Sequence, residues 1–147
     1  MQERGATRLL VVTNKAEDIN SVERASAKWA CLECRYAATL AKALEYAALG
    51  QFDVVLLSLN LPDSSGIKTL ERFRRGNSSI PVVVLTDRHD DHVRLEALRH
   101  GALMDLVRGE FSAHMLAQSI RFAVVRARAM DLSERHSFMG EPSANSA

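Results

Sequence analysis

Cysteine is scarce: two in 147 residues cannot build a disulfide framework, so nothing supports a secreted, disulfide-stapled fold. Long apolar runs are missing as well. The longest, around Val54-Val55-Leu56-Leu57 and Val82-Val83-Val84-Leu85, fall far short of the ~20 residues that span a bilayer. The first residues, Met1-Gln2-Glu3-Arg4-Gly5, lack the apolar core of a signal peptide. Nor is there an excess of charge of one sign: Lys and Arg number 19 against 18 Asp and Glu, a net charge of +1, which argues against the global basic excess of non-specific nucleic-acid binding. Aromatics are only 5% of the chain, and neither a recognition helix nor an aromatic platform is apparent, so a nucleic-acid partner is not expected. What remains is an ordinary composition, 47% hydrophobic and 25% charged. It fits one cytoplasmic domain with a single core.

Three apolar runs organise the chain. Arg8 to Thr13, Asp53 to Leu59 and Ile80 to Thr86 are each rich in Val and Leu and each end on polar residues. Continuous runs of this kind suit strands buried on both faces, as in a parallel sheet. Weaker strands are expected at Glu33 to Ala37 and Met104 to Val107. Helical patterns fall between, at Glu17 to Trp29, Thr39 to Leu49, Ile67 to Arg75, Asp90 to Arg99 and Ser112 to about Met130. Thr39 and Ser112 are N-cap candidates, and Gly50 and Gly101 suit helix ends. Five βα units in series predict a doubly wound α/β sandwich of three layers, a five-stranded parallel sheet with right-handed crossovers and helices on both faces. The domain is expected over residues 8–130, followed by a flexible tail over 131–147. No output domain is expected after the last helix. The functional site should lie at the carboxyl ends of the strands, where the sequence delivers Thr13, Asn14, Ser58, Thr86 and Arg108.

The run Asp53 to Gly66, then Pro81 to Thr86, then Gly101 to Glu110, resembles the receiver domains of bacterial two-component response regulators, over roughly Arg8 to Arg128. That resemblance implies a flavodoxin-like fold with the five parallel strands in the order 2-1-3-4-5, and with it an acidic pair after the first strand, a phospho-accepting aspartate after the third, a Ser/Thr after the fourth and a lysine after the fifth. Carboxylates hold Mg²⁺, the aspartate attacks the phosphoryl donor, and the hydroxyl and lysine hold the phosphoryl oxygens. Here the acidic pair falls on Thr13 and Asn14, the acceptor on Ser58 and the lysine on Arg108. Only Thr86 keeps the family's residue, and the switch aromatic falls on Asp105. Three anionic positions are neutral while Arg108 remains and Lys15 sits near the mouth, so Mg²⁺ binding is expected to be lost. No cofactor is expected, and aspartyl phosphorylation cannot occur at a serine. The expectation is a stand-alone pseudo-receiver, not an enzyme, that acts by protein contact in two-component phosphorelay signalling. Its partner would be a histidine kinase, an output protein or a second copy bound through the last helix. Two alternatives are a small-anion sensor using the polar, cationic pocket and an adaptor regulated by Ser58 phosphorylation. A simpler role for Arg108 is pairing with a carboxylate such as Asp87 or Asp105.

Other constellations have plainer readings. Cys31 and Cys34 form a CxxC that follows a helix instead of opening one, which disfavours redox chemistry, and zinc would need further ligands. Two packed thiols are the simpler expectation. His89-Asp90-Asp91-His92 lies where a helix begins, and acids in a first turn are favoured by the helix dipole without a metal. On a helical wheel Ala113, Leu116, Ile120, Ala123 and Ala127 form a sheet-facing stripe. Phe111, Met115, Phe122, Val125 and Ala129 fall opposite, flanked by Arg121 and Arg128, as a candidate interface.

Overall fold

A computed structural model describes the backbone of residues 6–87 and 91–145, with side chains described as far as Met130. The elements are β1 (Thr7–Val12), α1 (Ala16–Ala27), β2 (Leu32–Ala37), α2 (Leu40–Leu49), β3 (Val54–Ser58), β4 (Asn60–Leu61), β5 (Ser64–Ser65), α3 (Ile67–Arg74), β6 (Val82–Thr86), α4 (Asp91–Arg99), β7 (Met104–Val107) and α5 (Ala113–Asn145). β1, β2, β3, β6 and β7 form one parallel sheet in the order β2-β1-β3-β6-β7. Apart from the short β4-β5 hairpin, this is the expected 2-1-3-4-5 order of an α/β three-layer fold.

The apolar runs explain the sheet. Every residue of β3 and β6 is buried, because a central parallel strand has helices on both faces. Odd and even positions therefore serve two cores. Leu10, Val12, Val55, Leu57, Val82 and Val84 pack with α2 and α3 through Leu40, Ala43, Leu70 and Phe73. Leu9, Val11, Val54, Leu56, Val83 and Leu85 pack with α1 and α5 through Val22, Ala25, Leu116, Ile120 and Ala123. The edge strand β2 keeps only Leu32 and Ala37 fully buried, which is why its pattern reads weakly.

Local chemistry sets the helix ends. The Thr39 hydroxyl accepts the Lys42 N–H at 3.1 Å, and the Ser112 hydroxyl accepts that of Met115 at 3.1 Å, so both expected N-caps form. The Gly50 N–H closes α2 on the Tyr46 carbonyl at 2.9 Å. After α4, Gly101 has φ +102, a backbone conformation that strains any residue with a Cβ, so glycine is favoured there.

Two expectations need correcting, and α5 runs on as helical backbone to Asn145, past the end near Met130 suggested by the sequence. Phe111 precedes the first turn of α5 and packs half-buried against the α1-α5 core, so the wheel does not govern it. Cys31 is exposed and only Cys34 is partly buried, both as free thiols; the two do not pack together because Cys31 lies before β2 begins. Burial, opposed by a hydrogen bond from Tyr36, pushes the Cys34 thiol up, and burial likewise raises the neighbouring Tyr36 phenol to about 12.

Candidate functional site

β1, β3, β6 and β7 all end at one edge of the sheet, and their terminal residues converge. Arg108, immediately after β7, is 9% exposed, and Ser58, the last residue of β3, is 0% exposed. Gly109 with φ 84 turns the chain directly after Arg108, and the Arg108 N–H donates to the Thr86 carbonyl at 2.8 Å. The side chain is thereby aimed across the strand ends.

Its guanidinium is held on three sides. Nε donates to Asp18 Oδ1 at 2.8 Å and Nη2 to Asp18 Oδ2 at 2.8 Å, a two-pronged pair that matches the planar fork of arginine to a carboxylate. Nη1 donates to Asp87 Oδ1 at 2.6 Å, and Nη2 reaches Ser58 Oγ at 3.2 Å. The far oxygen of Asp87 accepts Asn60 Nδ2 at 3.0 Å, and the Asn60 N–H donates to Ser58 Oγ at 3.2 Å. Thr13 closes the ring: its hydroxyl donates to Asp18 Oδ2, and its oxygen accepts the Lys15 N–H at 3.1 Å. Burial disfavours the charge on Arg108, yet Asp18 and Asp87 outweigh it and hold the guanidinium above its ordinary value. One cation facing two carboxylates and a hydroxyl through four hydrogen bonds makes a connected polar network.

The sequence-predicted residues divide accordingly. Thr13, Ser58 and Arg108 come together in this network, and Arg108 does pair with Asp87. Asp105 does not join it; it forms an ion pair with Arg94 of α4, which also bonds Asp91 at 3.2 Å. Asn14 is exposed and stands outside the network. Lys15 caps α1 through its backbone. The Thr86 hydroxyl is buried and has no hydrogen-bond partner among the described residues. Of His89-Asp90-Asp91-His92, the first two residues lie outside the described set, and Asp91 opens α4 as expected.

Asp18 is the residue that sequence reasoning missed. It was legible as an anomaly: Asp18, Val22 and Ala25 are the buried residues of α1, at spacings of four and three. A carboxylate on the inward stripe of a helix requires a buried partner. Ninety residues separate Asp18 from Arg108, so the partner itself was not legible.

The carboxylates at this edge, Asp18 and Asp87, already face the Arg108 guanidinium. Mg²⁺ needs free oxygen ligands in octahedral geometry. Here the Thr13 hydroxyl gives its proton to Asp18, Asn14 points no carboxylate at the site, and both carboxylates already bond a permanent cation. Beside Thr86 and Arg108 lies a cavity of about 40 Å³, room for a water or two, and on the α1 side of Arg108 a larger one of about 350 Å³ opens between Asp18, Arg24 and Phe111.

A second feature of this edge is the turn after β4. The Asp63 carboxylate accepts the Leu40 and Ala41 N–H groups at 2.8 and 3.0 Å, and these bonds to the start of α2 hold it below its ordinary value of 3.8. The Ser64 and Thr69 hydroxyls share a bond at 2.8 Å. The turn is thus fixed by helix capping, independently of Arg108.

Comparison with known proteins agrees with this architecture. The profile of the family described as the response regulator receiver domain matches residues 7–121. The transcriptional regulatory protein KdpE of Mycobacterium tuberculosis is 42% identical over 90 residues, 61% of this chain and 39% of that protein. The transcriptional regulatory protein DltR of Streptococcus agalactiae is 35% identical over 78 residues, 53% of this chain and 34% of that protein. The chain thus spans little more than a third of these relatives. Among solved structures, a CheY-like receiver domain protein from Methanospirillum hungatei superposes with a TM-score of 0.75 at 18% identity, covering 86% of this chain and 99% of that one. NtrX from Brucella abortus gives 0.79 at 20% identity, over 88% of this chain and 29% of its own; at such identities the likeness is one of fold.

Proposed function

The chain belongs to the response regulator receiver domain family, and on that premise we propose that it is a receiver that no longer accepts a phosphoryl group and acts by protein contact in two-component signalling. One observation carries this reading: the guanidinium of Arg108 bonds Asp18, Asp87 and Ser58 in the place where a receiver's chemistry needs a metal ion and a free carboxylate. The position of the nucleophile holds a serine hydroxyl. Its oxygen accepts from Arg108 and the Asn60 N–H and its proton goes to the Asn60 carbonyl at 3.3 Å, an amide oxygen too weakly basic to activate it. With no phosphoryl chemistry, the signal passes through surfaces, and the partner would be a histidine kinase, an output protein or another member of the pathway.

The small-anion alternative is disfavoured by the same geometry. An anion would have to displace Asp18 or Asp87 from Arg108, because the cation is already matched.

The test is intact-mass spectrometry after incubation with acetyl phosphate and Mg²⁺, alongside melting curves with and without millimolar Mg²⁺. No phosphoryl mass and no Mg²⁺-dependent rise in Tm are expected; either one would overturn the reading. Ser58→Asp alone should leave both results unchanged, because Thr13 and Asn14 remain neutral and Arg108 still bonds the carboxylates that are present.

A further inference from the structure

Along α5 an apolar seam faces away from the core. Met115, Phe122 and Val125 are 47%, 49% and 63% exposed, and Ala129 is exposed too. Met115, Gln118, Phe122, Val125 and Ala129 follow one another at spacings of three and four, the a and d positions of a heptad. The helical backbone continues to Asn145, and the sequence carries Leu132 and Met139 at later d positions of the same register. Leu116, Ile120 and Ala123, by contrast, lie against the sheet. Beside the seam, Met104 of β7 joins Met115, Gln118, Ser119, Arg121 and Phe122 around a shallow groove of about 540 Å³, a surface suited to the side chains of a packing helix.

The flanks of the seam decide what can cover it. In this register Ser119 and Arg126 occupy e positions and Arg121 and Arg128 occupy g positions, and the stretch from Ala113 to Met130 contains no Asp or Glu. Arg126 and Arg128 are exposed, while Arg121 lies over the Trp29 ring at 4.4 Å, a contact that leaves its charge in place. A second copy in parallel register would set Arg121 against Arg126 twice, like charges at the positions that govern pairing.

We propose that this seam docks an amphipathic helix of a partner protein whose apolar positions are flanked by Asp and Glu. The inference rests on the contact-based reading given above and names the chemistry of the partner. Arginine on both flanks would pair with the acidic residues of such a helix, while its apolar side chains would fill the groove beside Phe122 and Met104.

Two synthetic helical peptides test it, both with Leu at a and d, one with Glu and the other with Lys at every e and g position. Titrated by fluorescence anisotropy against the full chain at low salt, the Glu peptide should bind at least ~10-fold more tightly than the Lys peptide, with the gap closing as ionic strength rises. Phe122→Glu should abolish binding. The combined Arg121→Glu, Arg126→Glu and Arg128→Glu variant should reverse the preference, with circular dichroism melts showing that each variant is folded. Equal binding of the two peptides, or none, would overturn the proposal. So would a dimer in sedimentation that Phe122→Glu dissolves, which would assign the seam to a second copy. Phosphoryl uptake would sink the contact-based reading while leaving the peptide result standing, so the two failures are distinguishable.

Discussion

Arg108 lies at the end of β7 with Asp18, Asp87 and Ser58 around it, whereas Arg126 and Arg128 stand in water along α5 with apolar side chains between them and Arg121. The first cation is enclosed, and its desolvation is offset by carboxylates within the chain, so removing either side leaves an unmatched buried charge. The others lose nothing on exposure and are free to meet charges from outside. The difference teaches that one residue type serves two ends: at the strand ends Arg108 is matched by carboxylates of its own chain, whereas on α5 Arg126 and Arg128 are exposed.

The largest expected effect comes from breaking the closed region. Arg108→Ala should destabilise the protein by about 3–5 kcal/mol in urea unfolding, because Asp18, 2% exposed, would be left buried without its partner. Arg108→Lys should cost less but not be neutral, since an ammonium cannot reproduce the two-pronged bond. A loss under about 1 kcal/mol for Arg108→Ala would mean that the network is incidental to folding.

Next is a contrast within α5. Ile120 is fully buried, so Ile120→Ala should cost about 2–5 kcal/mol. Phe122→Ala should cost about 1 kcal/mol or less, the ring being half exposed. Equal losses would move Phe122 into the core and remove the seam as a docking surface. Within the pocket, Asp87→Asn should be milder than Arg108→Ala, at under about 1 kcal/mol, because the Asp87 side chain is 43% exposed and screened by water.

The smallest effect is one of pH. Asp63 has its folded value held below 3.8 by the Leu40 and Ala41 N–H groups, so its ionised form favours the fold. That contribution is present above the unfolded value and is lost as pH falls through the folded one. The urea midpoint should therefore drop as pH is lowered through about 4 and below, and Asp63→Asn should flatten that drop. An unchanged slope would show that the capping bonds carry no net charge preference.

Much of the fold could be read from the chain because its signals are local. Val54 to Leu57 and Val82 to Leu85 are continuous apolar runs, a pattern that only a strand covered on both faces satisfies, and βα alternation with right-handed crossovers leaves few sheet orders. The strand-end rule likewise brought Thr13, Ser58, Thr86 and Arg108 to one edge before any coordinates. Asn14 was assigned to the same pocket but stands exposed: it lies two residues past the end of β1, where the chain turns into α1, whereas Thr13, one residue past, points inward.

The sequence by itself determined five buried parallel strands with helices between them and the polar residues delivered at their carboxyl ends. Only the tertiary structure decided that Arg108 would take Asp18 across ninety residues, and Asp87 instead of Asp105. Apolar periodicity is written along the chain residue by residue, whereas the choice among several carboxylates is made by a few ångströms of side-chain reach and by which of them is buried, and neither quantity exists until the helices have docked on the sheet.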